Sequence, residues 1–274
     1  MTSIAPAAPL AVSADGSAPA RFVRQTWAIA AADLIKLLRD PTELFTRAVQ
    51  PALWLLVFGE VFTRIRAIPT GNLSYIEFMA PGVLAQSVLF SAIFFGISVI
   101  WERDLGIIHK LLVSPASRPA LVMGKAVSAG LRGLSQAVIV YLLALLLGVR
   151  LQWSLPALGT VAVVVMLGSA LFATFSLVVA CIVKTRERFM GIGQVLTMPL
   201  FFASNAIYPL SIMPPWLRAI ARGNPLTYVV DALRAAMLVG GHSGIGLAAD
   251  GGFVVAVFLV LLWIAARLYP GLVR

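Results

Sequence analysis

Long uncharged runs alternate with short charged clusters along this chain, and the lengths of the uncharged runs set the first reading. Crossing a hydrocarbon core of about 30 Å at about 1.5 Å per residue takes roughly 20 apolar residues in a helix. Five runs reach or approach that length: Phe78 to Trp101, Gly133 to Val149, Leu151 to Val183, Phe189 to Leu217 and Gly251 to Ala266. A sixth, Leu44 to Phe62, holds Arg47 and Glu60 near its ends, within snorkelling reach of an interface. The pattern predicts an all-α integral membrane protein with six transmembrane helices, at about 44–63, 77–101, 127–149, 158–183, 189–208 and 249–268.

Ahead of the first predicted span, Val23, Trp27, Ala30, Leu34 and Leu37 recur at helical spacing, with Arg21, Gln25, Lys36 and Arg39 off that stripe. A helix over 21–39 with one apolar face, a Trp and a basic edge suits the headgroup plane of a bilayer. A helix packed on another domain is the competing reading. Asp40-Pro41 ends it, because the residue before a proline disfavours helical backbone. Residues 1–19, rich in Ala, Pro and Ser, read as a disordered tail, since Pro6 and Pro9 interrupt the apolar core a signal peptide needs. The membrane domain is then expected over 20–274.

The stretch before the last span has its own punctuation. Pro214-Pro215-Trp216 through Gly223 reads as a short helix with proline at its start and glycine past its end. Asn224 then caps a second helix with Pro225 in first position, running to Gly240. That helix is too short to cross but apolar enough to dip into the bilayer as a re-entrant element packed on protein. Asn205, Tyr208, Pro209, Pro214, Pro215 and Trp216, with Asn224, Pro225, Asp231 and Arg234, are the candidate external gate. Asp231 and Arg234 are spaced to pair with each other. An amphipathic loop on the outer surface is the plainer alternative.

Composition removes the soluble readings. The chain is 60% apolar and 12% charged, where soluble domains run at about 45–50% and about 25%, and its mean hydropathy is +0.96. An ordinary water-soluble enzyme and whole-chain disorder are both excluded. The net charge of +10 raises nucleic acid as a partner, but the basic residues sit in clusters between the apolar runs, as anchors do. No nucleic-acid partner is expected. With six spans, 13 of the 21 Lys and Arg residues fall on the N-terminal side and 6 on the other. The positive-inside rule then predicts a multi-pass plasma (inner) membrane protein with both termini cytoplasmic.

Catalytic constellations are missing from the pattern. The acids are scattered, His109 and His242 are expected on opposite sides, and Cys181 is the single cysteine, so neither a metal site nor an intramembrane hydrolase is expected. Gly124-Lys125 is followed by Ala126 rather than Ser or Thr, and Pro119 stands at the first glycine position of a P-loop. Hydrolysis of ATP by that mechanism is excluded. Arg132 lies near enough to an interface to snorkel, or lines a polar path. An ion-coupled carrier acting alone remains the alternative, although no internal repeat supports it.

The loop after the second span is distinctive. Glu102, Arg103 and Asp104 open it, Leu105, Ile108, Leu111 and Leu112 follow at helical spacing beyond Gly106, and Pro115 to Pro119 makes a turn containing Arg118. A short amphipathic helix on a firm turn suits docking to a soluble partner. The run ERDLGIIHKLLVSPASRPALVMGK, Glu102 to Lys125, resembles the loop signature of ABC-2 type transporter permeases, and YPLSIMPPWLRAIARGNPLTYVVDALRAAMLVG, Tyr208 to Gly240, is similar to that family's second signature. The resemblance is closest to the daunorubicin-resistance and nodulation-exporter branch, with His109-Lys110 and Ser204-Asn205 as departures.

The resemblance implies a division of labour. Glu102 to Arg118 and the helix carrying Arg21, Trp27, Lys36 and Arg39 would contact a separate ABC ATPase subunit, expected in two copies and carrying the ATP and Mg; no cofactor is expected on this chain. A second permease subunit, identical or paralogous, would complete the transporter within membrane lipid. The function implied is that of an exporter subunit passing an amphiphilic drug, lipid or glycolipid. Phe94, Phe95, Phe172, Phe175, Phe201 and Phe202 are candidates to line the path, each weighed against plain helix packing.

Overall fold

A computed structural model describes residues 17–39, 49–65, 68–106, 118–183 and 185–269. Among these the regular secondary structure is helical, apart from one isolated antiparallel bridge between Leu151 and Leu238. We number the α-helices α1 (Ala18–Arg39), α2 (Glu60–Ile65, continuing a π-helical stretch Trp54–Gly59), α3 (Tyr75–Asp104), α4 (Arg118–Leu146), α5 (Leu155–Ile182), α6 (Arg186–Phe202), α7 (Pro215–Gly223), α8 (Pro225–Met237) and α9 (Leu247–Leu268).

Helix α3 is the axis of the bundle, packed against α4, α5, α6 and α8. It starts at a capping box: Ser74 Oγ accepts from the Glu77 amide at 3.3 Å, and Glu77 Oε2 accepts from the Ser74 amide at 2.8 Å. Its apolar residues leave little surface exposed, with Met79, Ala80, Leu84, Ala85, Val88 and Leu89 fully buried. Glycine lets neighbours approach it closely, the usual device where apolar side chains alone give helices no preference for one another over lipid. A Cβ on Gly82 would run into the Ala206 carbonyl oxygen. At Gly96 the amide donates to Ser176 Oγ at 3.2 Å, while that hydroxyl donates to the Ile93 carbonyl at 2.7 Å.

Four helices among the described residues are long and apolar enough to cross a membrane, 75–104, 119–146, 155–182 and 247–268, and not six. Two expected spans fall short. The 44–63 prediction begins outside the described residues, and its described part, from 49, turns into the π-helical Trp54–Gly59 and ends at Ile65. The 189–208 prediction is overturned by α6, which ends at Phe202 after 17 residues. The reason is local satisfaction of its last carbonyls: the Asn224 side-chain amide donates to Leu200 O at 2.7 Å and Ala203 O at 2.8 Å. Ser204 Oγ donates to Phe201 O, and the chain turns away.

The expected re-entrant helices are corrected too. α8 holds 13 residues and is an internal strut, with Leu226, Val229, Val230, Leu233 and Met237 fully buried against α3, α5 and α9. α7 lies outside the packed bundle and leaves Trp216 exposed. Neither is built as a re-entrant lid: one is held inside the bundle and the other has 9 residues.

The N-terminal helix also differs from its expected setting in a headgroup plane. α1 packs along α4 through Thr26, Ile29 and Ala30, and Gly124 is what admits it: a Cβ there would meet Ile29 Cβ at 2.7 Å and Thr26 O at 3.0 Å. Val23 and Trp27 of the anticipated stripe are exposed. Docking on a helix, and not amphipathic float, fixes its place.

Candidate functional site

The two ends of α3 carry the polar chemistry of the bundle. At its C-terminal end Lys125 Nζ donates to Glu102 Oε1 at 2.8 Å, with the two residues 5% and 9% exposed. This buried pair joins the end of α3 to the first turns of α4, and so clamps both ends of the intervening loop. The Phe95 ring lies beneath it, 5.5 Å from Lys125 Nζ and 5.9 Å from the Arg132 guanidinium. Closer to solvent, Arg186 donates to Asp104 Oδ2 at 2.7 and 3.0 Å, Arg103 donates to Asp104 Oδ1, and the Arg186 guanidinium stacks 4.0 Å over Trp101. Leu105 is exposed, and Gly106 takes a left-handed φ of +71° where the chain leaves the helix.

Of the coupling residues expected from sequence, Glu102, Arg103, Asp104, Leu105 and Gly106 therefore form one platform, and Arg118 begins α4. Ile108, Leu111, Leu112 and Pro115 lie outside the described residues. Arg21 and Trp27 are on α1, as is the backbone of Lys36 and Arg39, whose side chains are outside the described set. Lys125 and Arg186 are the partners that sequence reasoning passed over as simple anchors.

At the other end of α3, Arg150 closes the capping box from outside. Its Nε donates to Glu77 Oε1 at 2.8 Å, and that carboxylate holds the guanidinium above its ordinary pKa. The S-x-x-E spacing of Ser74 and Glu77 was the available sequence signal for this corner. Beside it sits a buried polar cluster built on Asp231. Its Oδ2 accepts from the Gly244 amide at 2.8 Å and the Ile245 amide at 3.2 Å, and its Oδ1 from Asn205 Nδ2 at 3.2 Å. Arg234 Nη1 stands 3.5 Å from Asp231 Oδ1, its Nη2 donates to Asn205 O at 2.8 Å, and its plane lies 4.0 Å over Phe78. Burial draws the Arg234 guanidinium down from the usual arginine range to about 10, with Asp231 pulling the other way. It stays charged at neutral pH. Ser243 Oγ lies 2.7 Å from Asp250 Oδ2, which ties the start of α9 into the same network.

This cluster forms one wall of a cavity of about 910 Å³, bounded also by Arg150, Arg222 and the 69–73 turn. Of the expected gate residues, Asn205, Pro209, Asp231 and Arg234 reach it. Asn224 instead caps α8 through Leu226 N and ties α6, with Pro225 in the first turn of α8. Tyr208 bonds back to the Phe202 carbonyl, burial raising its phenol pKa, while Pro214, Pro215 and Trp216 belong to the entry of α7.

The aromatic candidates do not share one route. Phe95 and Phe172 are buried core residues, and Phe175 borders a small gap beside Phe189. Phe201 and Phe202 form an edge-on cluster with Trp54 at centroid distances of 5.4 and 6.5 Å. The Phe94 side chain is outside the described set.

Comparison with known proteins adds the family. Residues 24–238 match the ABC-2 type transporter family. A ycf38 protein of Cyanophora paradoxa, whose description is that of a transport permease, is 29% identical over 218 residues, 78% of this chain and 74% of its own. The daunorubicin resistance ABC transporter permease protein DrrB1 of Streptomyces coeruleorubidus is 28% identical over 198 residues, covering 72% of this chain and 69% of that one. The inner membrane transport permease YadH of Escherichia coli is 24% identical over 225 residues, covering 79% and 84%. The family match takes in the Glu102 platform, Asn205, Asp231 and Arg234, and three of the four membrane-length helices, and on that footing this chain belongs to the ABC-2 type transporter family.

Proposed function

We propose that this chain is the membrane half of an ATP-driven exporter, moved by a separate ATPase that presses on the Glu102 to Arg118 segment and on α1. The chain is a transport subunit of its family rather than an enzyme, so the work must enter from outside it. The observation that carries the reading is the buried Glu102–Lys125 pair. Because it clamps the ends of α3 and α4 together, a push on the loop between them is transmitted to both helices and not absorbed by loop flexing. Two ATPase subunits and a second permease, identical or paralogous, would complete the transporter. ATP binding would then shift the bundle between inward-open and outward-open arrangements through the ATPase's differential affinity for the two. The cargo is an amphiphilic drug, lipid or glycolipid, in keeping with the drug-resistance names that some relatives carry.

The test is co-purification and reconstitution. An ATPase chain with an intact P-loop should co-purify with this protein in equal numbers, and its hydrolysis should rise on assembly. Leu111→Asp should abolish that stimulation while leaving membrane insertion intact; unchanged hydrolysis would reject the docking assignment. Transport by the isolated chain without nucleotide, collapsing with an uncoupler, would replace this reading with an ion-coupled carrier.

A further inference from the structure

We propose that the cavity at the Tyr75 end of α3 binds a phosphodiester headgroup that carries hydroxyls and one net negative charge, with Arg222 and Arg234 on the anionic oxygens and Asn205 on a neighbouring hydroxyl. This deepens the permease reading, on which it rests, by giving the cargo or its lipid companion a chemical class. The cavity, about 910 Å³, falls within the range of about 300–1,000 Å³ typical of small-molecule sites.

Its charge points to an anion of single charge. Three guanidiniums, of Arg150, Arg222 and Arg234, face it against the one carboxylate of Asp231. Glu77 offsets Arg150, and Asp231 offsets Arg234. Arg222 pairs with no acid among the described residues and is exposed, so one positive charge is left over. A phosphodiester carries one negative charge, where a phosphomonoester carries nearly two at neutral pH.

Two orphaned atoms sharpen the chemistry. Arg234 Nε and Asn205 Oδ1 are both buried without a hydrogen-bond partner among the described residues, on residues 7% and 3% exposed that line the cavity. Buried polar atoms are rarely left unsatisfied in native folds. The first needs an acceptor and the second a donor, and guanidinium groups match phosphate oxygens in geometry as well as charge. An anionic oxygen with a hydroxyl nearby, reaching these two sealed atoms by displacing the side chains around them, meets both needs; a purely apolar drug meets neither.

The test uses the full chain in nanodiscs of equal parts dioleoyl phosphatidylglycerol and dioleoyl phosphatidylcholine, with retained lipid counted by native mass spectrometry. Phosphatidylglycerol, whose headgroup carries hydroxyls and one net negative charge, should be retained over phosphatidylcholine by roughly tenfold. Arg222→Gln, at an exposed position where thermal unfolding should not change, should erase most of that preference. Glycerophosphoglycerol, the same headgroup without chains, titrated calorimetrically into the detergent-solubilised protein, separates the sources. Binding assigns the site to headgroup chemistry wherever it comes from, and no binding assigns it to an intact lipid. Equal retention of the two lipids by the wild type, or full preference in Arg222→Gln, would overturn the proposal. Neither result involves an ATPase, so loss of this site would leave the permease reading standing, and failure to find an ATPase partner would leave the site standing.

Discussion

A buried ion pair is most informative when one member is removed. Lys125→Met would take from Glu102 the ammonium that holds its Oε1 at the clamp, and breaking such buried pairs costs up to about 3–5 kcal/mol. The double variant Glu102→Leu with Lys125→Met removes both charges and should recover most of that loss, because matched apolar replacements are often neutral. Thermal unfolding of the detergent-solubilised variants measures both. If Lys125→Met is no less stable than the double variant, the pair is not what holds α3 to α4. At this scale the sequence was only half readable. The acid-base-acid triplet at Glu102 to Asp104 marks a helix end locally, whereas Lys125 and Arg186 reach it from other helices. Spacing along the chain says nothing about those meetings.

Element lengths expose the same limit, and α6 is the clearest case. Hydropathy runs on through Pro199 to Leu217, and nothing local announces that the helix stops at Phe202. What stops it is Asn224, which sequence reading recognised only as the cap of the following helix because that role is local. Its Oδ1 accepts from Leu226 N at 3.0 Å while its Nδ2 donates to two carbonyls of the α6 terminus. Asn224→Ala should therefore destabilise the protein by about 3–5 kcal/mol, from a lost cap of about 1 kcal/mol and two abandoned acceptors, one buried and one partly buried, at about 1–2 kcal/mol each. Asn224→Asp keeps the cap but offers the α6 carbonyls an oxygen instead of an N–H, so it should be nearly as damaging. An Asp variant as stable as the wild type in the same melting assay would show that the link to α6 contributes nothing. The helix α8 was legible in its start at Asn224-Pro225 and misread in its setting, since an apolar helix looks alike from sequence whether it faces lipid or three other helices.

For the whole molecule the question is which end faces which side. With 30 residues, α3 is about 45 Å long at about 1.5 Å per residue, longer than the roughly 30 Å hydrocarbon core. Its two polar platforms can thus lie in opposite aqueous layers. The Asp104 end gathers Arg103, Lys125 and Arg186, and the other end holds Arg150, Arg222 and Arg234. On the sequence count of 13 Lys and Arg against 6, the positive-inside rule predicts the first in the cytoplasm, and thiol labelling tests that expectation. Cys181 is the single cysteine, so a Cys181→Ser background admits new thiols at exposed positions. Asn72→Cys and Leu155→Cys, both beside the cavity end of the bundle, should react with a membrane-impermeant maleimide in intact cells, and Leu105→Cys only after permeabilisation. The reverse pattern would keep the four crossings and invert the orientation, placing the cavity inside and the coupling platform out of an ATPase's reach. Equal labelling of positions 72 and 105 in intact cells would mean that α3 does not cross at all, and the proposed transmission of force from one end of it to the other would lose its physical basis.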